Sequence, residues 1–548
     1  MIIFVSDYFV EDYSGGGELT SEALIKDCPL SIQKIHSKNI TKALIDSKKD
    51  HFWVFGNFTE VNENLLIHIA KNLNYSVLEY DYKFCKWRSI HKHEFVEENC
   101  NCKDTPKGKI VSIFCASAKS LHFMSANQRD VYLELYPFLA KNSYVLNSVF
   151  SDETLKLIQH LSQQKKKRNN KWIILNSQSW IKGLADCVRY ARKNNLEYEL
   201  VWGLSHKEML KKMAESRGLI FLPKGQDTCP RFVIEAKLLG CELVLNDLVQ
   251  HKDEEWFVDK DKIIPHLKKR TSTFWNQVLA HVYKERYVQK CDQFSEKSNR
   301  FVITMPTYNA ESWIGKTLKS VKNQTHQNFV CYIINDCSSD STLKVVEKNI
   351  LNDKRFVVIN NNKRLGSPIG NIYNCLHQYK EFLNDEDVVI NLDGDDWFIN
   401  ENVLSHVNDF YNKEKCELTY GSFVRFSNGI IGQEASEYSK EVVEKSLYRQ
   451  DVWRAAHLRT FKYELFKRMK KEYITNENGE FYEFAADQAM MYALLELSEN
   501  SKFNDKVMYV YNDDNPLGID PRTRTGNDTR RKAEILELSH IKQLRSHA

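Results

Sequence analysis

Asp387-Val388-Val389-Ile390-Asn391-Leu392-Asp393-Gly394-Asp395-Asp396 sets a short apolar run directly against three carboxylates. The run reads as a buried strand, and the acidic residues follow where that strand ends. Three acidic groups within four positions repel one another unless a cation lies among them. A hard divalent ion with carboxylate ligands removes the repulsion and keeps coordination positions for phosphate oxygens. Mg²⁺ or Mn²⁺ bridging a diphosphate is the chemistry this implies. Taken alone, the motif reads equally as a solvated Asp-rich turn. Its surroundings decide.

Upstream, Phe301-Val302-Ile303-Thr304-Met305 is a strand, and Trp313, Ile314, Leu318 and Val321 mark one face of a helix. Phe329 to Ile334 and Phe356 to Ile359 read as strands, Leu343 to Ile350 and Ile369 to Tyr379 as helices. Short apolar runs alternating with amphipathic helices predict a parallel sheet covered on both faces. Ligands of such sheets gather at the carboxyl ends of the strands. Each strand here runs into polar residues: Pro306-Thr307-Tyr308-Asn309, then Asn335 to Asp340, then Asn360-Asn361-Asn362, then Asp393 to Asp396. Four converging polar strand ends favour a site over a turn.

From about 300 to 520 the chain resembles glycosyltransferase family 2, whose fold is GT-A. Ile303 to Asn309 resembles that family's opening strand and nucleotide loop, and Ile333 to Thr342 its acidic uridine-binding segment. Asn335 stands where the family usually has an Asp, and Cys337 where it usually has Gly. The resemblance implies that Asp336 contacts the base, while Pro306, Thr307, Tyr308 and Asn309 wall the nucleotide. It also implies that Asp393 and Asp395 hold the metal and Asp393 lies against the bound donor. Gly366 to Asn371 falls at the family's Gly-containing donor segment, without its usual Arg. The general base is expected about a hundred residues beyond the metal motif, where Asp487 matches the second residue of a Glu-Asp pair. Ala486 replaces the Glu. Inverting transfer needs one base to deprotonate the acceptor hydroxyl; Asp487 could equally serve the dipole of the helix it opens. His457-Leu458-Arg459-Thr460-Phe461 resembles a further family segment, leaving His457 open between an acceptor-facing and a packed role.

The first half reads differently. Gly15-Gly16-Gly17 follows a first strand and precedes a helix beginning near Thr20, a weak ligand signal. Asp227-Thr228-Cys229-Pro230-Arg231-Phe232-Val233-Ile234-Glu235 resembles the acidic region of family 4 glycosyltransferases of GT-B fold, in which the second acid, here Glu235, holds the nucleotide ribose. Lys182 lies near that family's phosphate-binding lysine, and the partner Arg is missing around Asn176. A degenerate domain that binds an acceptor or positions its neighbour is the expectation. Cys85, His91, His93, Cys100 and Cys102 form Cys-x5-His-x-His-x6-Cys-x-Cys. Such density suits tetrahedral Zn²⁺ on the three cysteines plus one histidine, taken as His93; reduced cysteines in a polar loop are the alternative. Cys337 and Cys375 read as packing residues.

The expected architecture is therefore α/β: a Rossmann-like, GT-B-type first half (1–160 and 161–285), a GT-A-type mixed sheet domain with helices on both faces (296–520), and a basic helical tail (521–548). At 548 residues the chain exceeds one core. It has no apolar run of roughly 18 residues or more, so no transmembrane segment is expected. Met1 to Ser6 reads as a buried strand rather than a signal peptide, and thirteen scattered cysteines fit reduced thiols in a cytoplasm, a host's if the gene is a phage's. With 77 basic and 73 acidic residues the charge neither demands nor excludes a nucleic acid. The expected partners are a nucleoside-diphosphate sugar, with UDP the favoured nucleotide, and a glycan acceptor. The alternatives are hydroxymethylated DNA, approached through basic clusters at Lys165 to Arg168, Lys268 to Arg270 and Arg522 to Lys532, or a binding protein on a decayed scaffold.

Overall fold

The computed structural model describes residues 1–164, 168–289, 297–517 and 525–540, with side chains for 532–539 in the last stretch. The basic run at Lys165 to Lys167, residues 290–296 and 518–524, and the side chains of 525–531 lie outside the described residues. Two compact units form: Met1–Cys28 with Ile32–Val282, and Pro29–Ser31 with the chain from Tyr283 onward.

In the first unit β1 (Ile2–Ser6), β2 (Ile32–His36), β3 (Phe52–Phe55), β4 (Asn74–Glu79), β5 (Ser120–Phe123) and β6 (Ser143–Val145) pair in parallel in the order β2-β1-β3-β4-β5-β6. A second parallel sheet, β10-β9-β7-β8, combines β7 (Trp172–Leu175), β8 (Tyr198–Val201), β9 (Gly218–Phe221) and β10 (Glu242–Leu245). These are the Rossmann-like sheets expected from the strand-helix alternation. The strands are continuous apolar runs such as Ile2-Ile3-Phe4-Val5, buried because helices cover both faces. The helix expected near Thr20 starts at Gly16, since Gly15 supplies the extended residue before it.

Two histidines of this unit are buried without charge. Burial first, then His281 or Lys237, lowers His122 and His251 to about 3. Both ring nitrogens of His251 lack a hydrogen-bond partner among the described residues, and the ring stacks on Trp256. An unfolded chain returns each histidine to about 6.5. Between these values the unfolded chain binds more protons, so stability is full above about pH 6.5 and is lost as pH falls toward 3. Cooling of the melting transition between pH 6.5 and 5 is expected, worth about 2 kcal/mol per histidine. His251→Phe keeps the stack and flattens the profile; thermal melts at several pH values that superimpose for both proteins would refute this.

The second unit carries eight strands: β11 (Phe301–Thr307), β12 (Phe329–Asn335), β13 (Phe356–Asn360), β14 (Val388–Asn391), β15 (Trp397–Phe398), β16 (Leu418–Arg425), β17 (Arg459–Lys462) and β18 (Ser501–Tyr511). Their order is β13-β12-β11-β14-β17-β16-β18-β15. The first four are parallel, as the sequence pattern predicts. β17 then returns antiparallel to β14, so residues entering β17 meet residues leaving β14. Its register sets Arg459 beside Asn391, two positions before Asp393. The helix Ala486–Leu497 packs almost wholly inside the core. Its first turn is capped from far along the chain: Glu534, on the helix Thr525–His540, accepts the N–H groups of Glu483 (3.3 Å), Phe484 (2.9 Å) and Ala485 (2.7 Å). Leu538 of the same helix is fully buried with Tyr482, Ala485 and Ala489. Among the described residues no helix is long and apolar enough to cross a membrane.

Candidate active site

Gly394 is set by close approach. Its N–H donates to Pro306 O at 3.1 Å, its carbonyl accepts Thr317 Oγ1 at 3.0 Å, and a Cβ there would lie 2.4 Å from Thr307 Oγ1. Only glycine lets the acidic turn lie flat on the exit of β11. The turn thereby aims its acids into the space beyond the strand ends.

Those acids differ. Asp396 is buried, its Oδ2 accepting Tyr509 OH at 2.5 Å and its Oδ1 the N–H of Asn512 at 2.7 Å. Asp395 Oδ2 accepts Asn515 Nδ2 at 2.6 Å. Asp393 is half-buried; desolvation, then Asp395, raises it to about 6, against the opposing pull of Arg459. Desolvation also raises Asp395, and it lifts Asp396 well above the usual carboxylate range, helped by both neighbours. Three crowded acids that each resist ionisation are what a cation would relieve, so the donor set fits a hard divalent ion. The ligand atoms of Asp393, Asp396 and His457 lie within 4.8 Å of one another. His457, which the sequence left open, thus faces the acidic turn. Its ring stacks on Tyr509 with centroids 4.4 Å apart, and burial, then Arg459, keeps it neutral. Among the described residues Asp396 has both oxygens engaged, by Tyr509 and Asn512, and Asp395 one, by Asn515.

Asp487 enters the same space. Its Oδ2 accepts Arg459 Nη2 at 2.9 Å and its Oδ1 the N–H of Gln488 at 2.9 Å. Arg459 Nη2 also lies 3.4 Å from His457 Nε2, and its Nε is tied to Ala455 O at 3.1 Å. The guanidinium therefore orients Asp487, and its charge reaches Asp393. Ala486 is buried in the apolar core. No carboxylate fits there, which accounts for the missing Glu.

The nucleotide segments are drawn together around the ends of β11, β12 and β13. Thr307 is buried and Tyr308 half-exposed, with the Arg364 guanidinium 3.9 Å from its ring centroid. Pro306 closes the buried β11. Asn309, at φ 47°, accepts the N–H of Ser339 at 2.8 Å and donates its own N–H to Ser338 Oγ at 3.0 Å, joining the two loops. Asn335 donates to Asn360 Oδ1 at 3.1 Å, a bond an Asp could not make. Asp336 is buried, with Oδ1 accepting Asn361 Nδ2 (2.7 Å) and the N–H of Leu365 (2.8 Å), and Oδ2 the N–H of Gly366 (2.8 Å). Its carboxylate braces the loop that carries Arg364. Cys337 corrects its expected packing role: it is half-buried at φ 61°, the conformation that explains Gly as the usual residue, and its thiol reaches Asn361 O at 3.2 Å. Cys375 is buried as expected. Within Gly366 to Asn371, a Cβ on Gly370 would meet Leu365 and Phe481 at 2.8 Å.

In the first unit Glu235 is buried with His206 Nε2 at 2.8 Å and Arg231 Nε at 3.6 Å, and Lys182 pairs with Asp227 at 2.5 Å. The acids expected to meet a nucleotide are engaged by protein groups. Cys85, His93, Cys100 and Cys102 converge in one cluster.

Residues 302–472 match the model of glycosyl transferase family 2. This stretch is a family 2 glycosyltransferase domain. A glycosyltransferase of Haemophilus influenzae, itself uncharacterized, is 42% identical over 64 residues, 12% of this chain and 20% of its own length. The GalNAc(5)-diNAcBac-PP-undecaprenol beta-1,3-glucosyltransferase of Campylobacter jejuni is 26% identical over 220 residues, 38% of this chain and 63% of its own. The chain thus spans less than two thirds of the length of these relatives. Among solved structures, S. aureus TarS 1–349 with UDP-GlcNAc shows a TM-score of 0.32 at 17% identity, over 44% of this chain and 68% of that one. A Pyrobaculum calidifontis mannosyltransferase with GDP-Man and Mn²⁺ shows 0.31 at 14%, over 48% and 71%. The family 2 match ends at 472, ahead of Asp487, Tyr509 and Asn515, which complete the geometry described above.

Proposed function

We propose that the second unit is a metal-dependent inverting glycosyltransferase that moves a sugar from a UDP-linked donor to a hydroxyl of a saccharide. The observation that carries this reading is the convergence of Asp393, Asp395 and Asp396 with Asp487, held by Arg459, on one polar space beyond the strand ends. Asp393 and Asp395, with Asp396 and His457 beside them, would hold the divalent ion, whose charge favours departure of a diphosphate. Tyr308, backed by Arg364, offers a planar face for the base, and Thr307 walls the nucleotide. Asp487 accepts the proton of the acceptor hydroxyl as its oxygen bonds to the anomeric carbon. The bond from that carbon to the diphosphate oxygen breaks, and its electron pair leaves with the nucleotide. One displacement inverts the anomeric configuration.

A saccharide acceptor is supported by the C. jejuni relative, whose name gives a lipid-linked oligosaccharide as its acceptor. Hydroxymethylated DNA has less support, since Lys268 ends one helix of the first unit, Lys269 follows it, and Arg270 opens the next and is half-buried there. The first unit is proposed to position the acceptor, its Glu235 and Asp227 being paired internally. The deciding experiment offers purified protein with Mn²⁺ a panel of UDP-sugars against oligosaccharides and hydroxymethylcytosine DNA, and follows UDP release. Release stimulated by saccharides is expected. Stimulation by the DNA alone would overturn the acceptor, and release with no UDP-sugar would overturn the donor.

A further inference from the structure

The first unit holds a group of side chains that the transferase chemistry does not use. Cys85, on the segment after β4, and His93, on the helix Ile90–Glu97, meet Cys100 and Cys102. All four ligand atoms lie within 4.8 Å of one another. Cys85 Sγ is 3.5 Å from His93 Nδ1, Cys102 Sγ is 3.2 Å from the same nitrogen, and Cys100 Sγ is 3.8 Å from Cys85 Sγ. A tetrahedral zinc with sulfur at about 2.3 Å and nitrogen at about 2.0–2.1 Å has sulfur–sulfur edges near ~3.8 Å and sulfur–nitrogen edges near ~3.6 Å. The Cys85–Cys100 and Cys85–His93 spacings match those edges and the Cys102–His93 spacing is about 0.4 Å shorter, while a disulfide would hold two sulfurs at about 2.05 Å. None of the three cysteines is in a disulfide, and Cys85, His93 and Cys102 are buried.

The histidine is also set for the task. Its far nitrogen, Nε2, lies 3.1 Å from Glu97 Oε2, so that nitrogen carries the proton and Nδ1 turns its lone pair toward the sulfurs. Glu97 is fixed in turn by Trp87 Nε1 at 3.1 Å and Lys86 Nζ at 2.5 Å. His91 stays outside the cluster, so the alternation His-x-His resolves to His93. We infer that Cys85, His93, Cys100 and Cys102 bind a structural Zn²⁺, separate from the divalent ion of the transferase site. With four protein ligands no position is left for substrate. The ion ties the end of β4 to the helix Ile90–Glu97 and to the start of the helix Pro106–Ser117, across a stretch with little regular structure.

The test uses the full chain purified under reducing conditions without added metal. Elemental analysis is expected to find one zinc per chain that survives dialysis against EDTA and is released to a metallochromic dye when an organomercurial titrates the thiols. Asp393→Asn should keep this zinc, and Cys100→Ser should lose it. Glu97→Gln should weaken zinc by about 10–100-fold in competition with the dye. Should Cys100→Ser fail to fold, cobalt replacing zinc in the unaltered chain decides: a thiolate-to-cobalt charge-transfer band and strong tetrahedral visible bands are expected. A chain that is folded yet carries no mercurial-released zinc and gives no such cobalt spectrum overturns the inference. So does a Cys85–Cys100 disulfide in freshly purified protein, read by intact mass before and after reduction.

Discussion

Asp393→Asn is expected to lower the rate of sugar transfer by at least about 10²–10³-fold, the scale on which a preorganised charge contact to a reacting group acts. The same change should not harm the fold. Desolvation and Asp395 raise Asp393 to about 6, so at pH 7.5 its ionised form is a liability in the metal-free protein. A carboxyl with a raised folded pKa costs stability above that pKa and costs nothing below the unfolded value. Removing the charge should therefore raise the stability of the chelator-treated protein by about 1–3 kcal/mol, discounted for screening at a half-exposed group. Transfer assays with Mn²⁺ and thermal melts in EDTA measure the two effects on one sample. A variant that is both inactive and less stable would mark Asp393 as structural, and an active variant would end the metal assignment.

Asp487→Asn should cost about 10²–10⁴-fold in kcat, the range for a lost general base. Donor binding should survive, because Asp487 lies across from the nucleotide segments and touches Arg459 and its own helix. The amide keeps one oxygen for Arg459, so the geometry is retained. Two measurements separate catalysis from helix capping. The first is UDP binding by calorimetry, expected unchanged. The second is the melting temperature, also expected unchanged. Losses in UDP affinity and melting temperature, with kcat retained, would assign Asp487 to the helix alone.

The parts of the second unit that could be read in advance are those whose partners lie close in sequence. Asp393, Gly394, Asp395 and Asp396 follow their own strand, and the strand ends of β11, β12 and β13 converge because parallel sheets collect them on one edge. The grouping of Cys85, His93, Cys100 and Cys102 was legible for the same reason, its residues falling between 85 and 102. Arg459 was quoted in the sequence but given no role. Its place beside Asn391 depends on β17 returning antiparallel to β14, a pairing that apolar periodicity does not encode. Tyr509, Asn512 and Asn515 were missed because they reach the acids from the far end of β18, more than a hundred residues along the chain. Arg364 hid in a polar loop, and only the stack on Tyr308 gives it a role. The departures at Asn335, Cys337 and Ala486 looked like erosion in the sequence. In the fold Asn335 and Ala486 have local causes, a side-chain bond to Asn360 and a filled core, whereas the left-handed φ at Cys337 favours the Gly it replaces.

Glu534 gives the transferase an unexpected lower limit on size. Its carboxylate is the acceptor for three successive N–H groups ahead of the helix that presents Asp487, and Leu538 seals that helix start from water. A piece trimmed to the family match at 472, or even after β18, removes both. The loss is about 1 kcal/mol or more in capping and about 2 kcal/mol in buried leucine, concentrated on the turn that aims the base. Excision after Asn515 would thus keep β18 and the bonds of Asn512 and Asn515 to the acids but leave the turn before Asp487 uncapped, whereas a cut at 472 removes Asp487 itself. The smallest self-sufficient catalyst in this chain runs past Leu538.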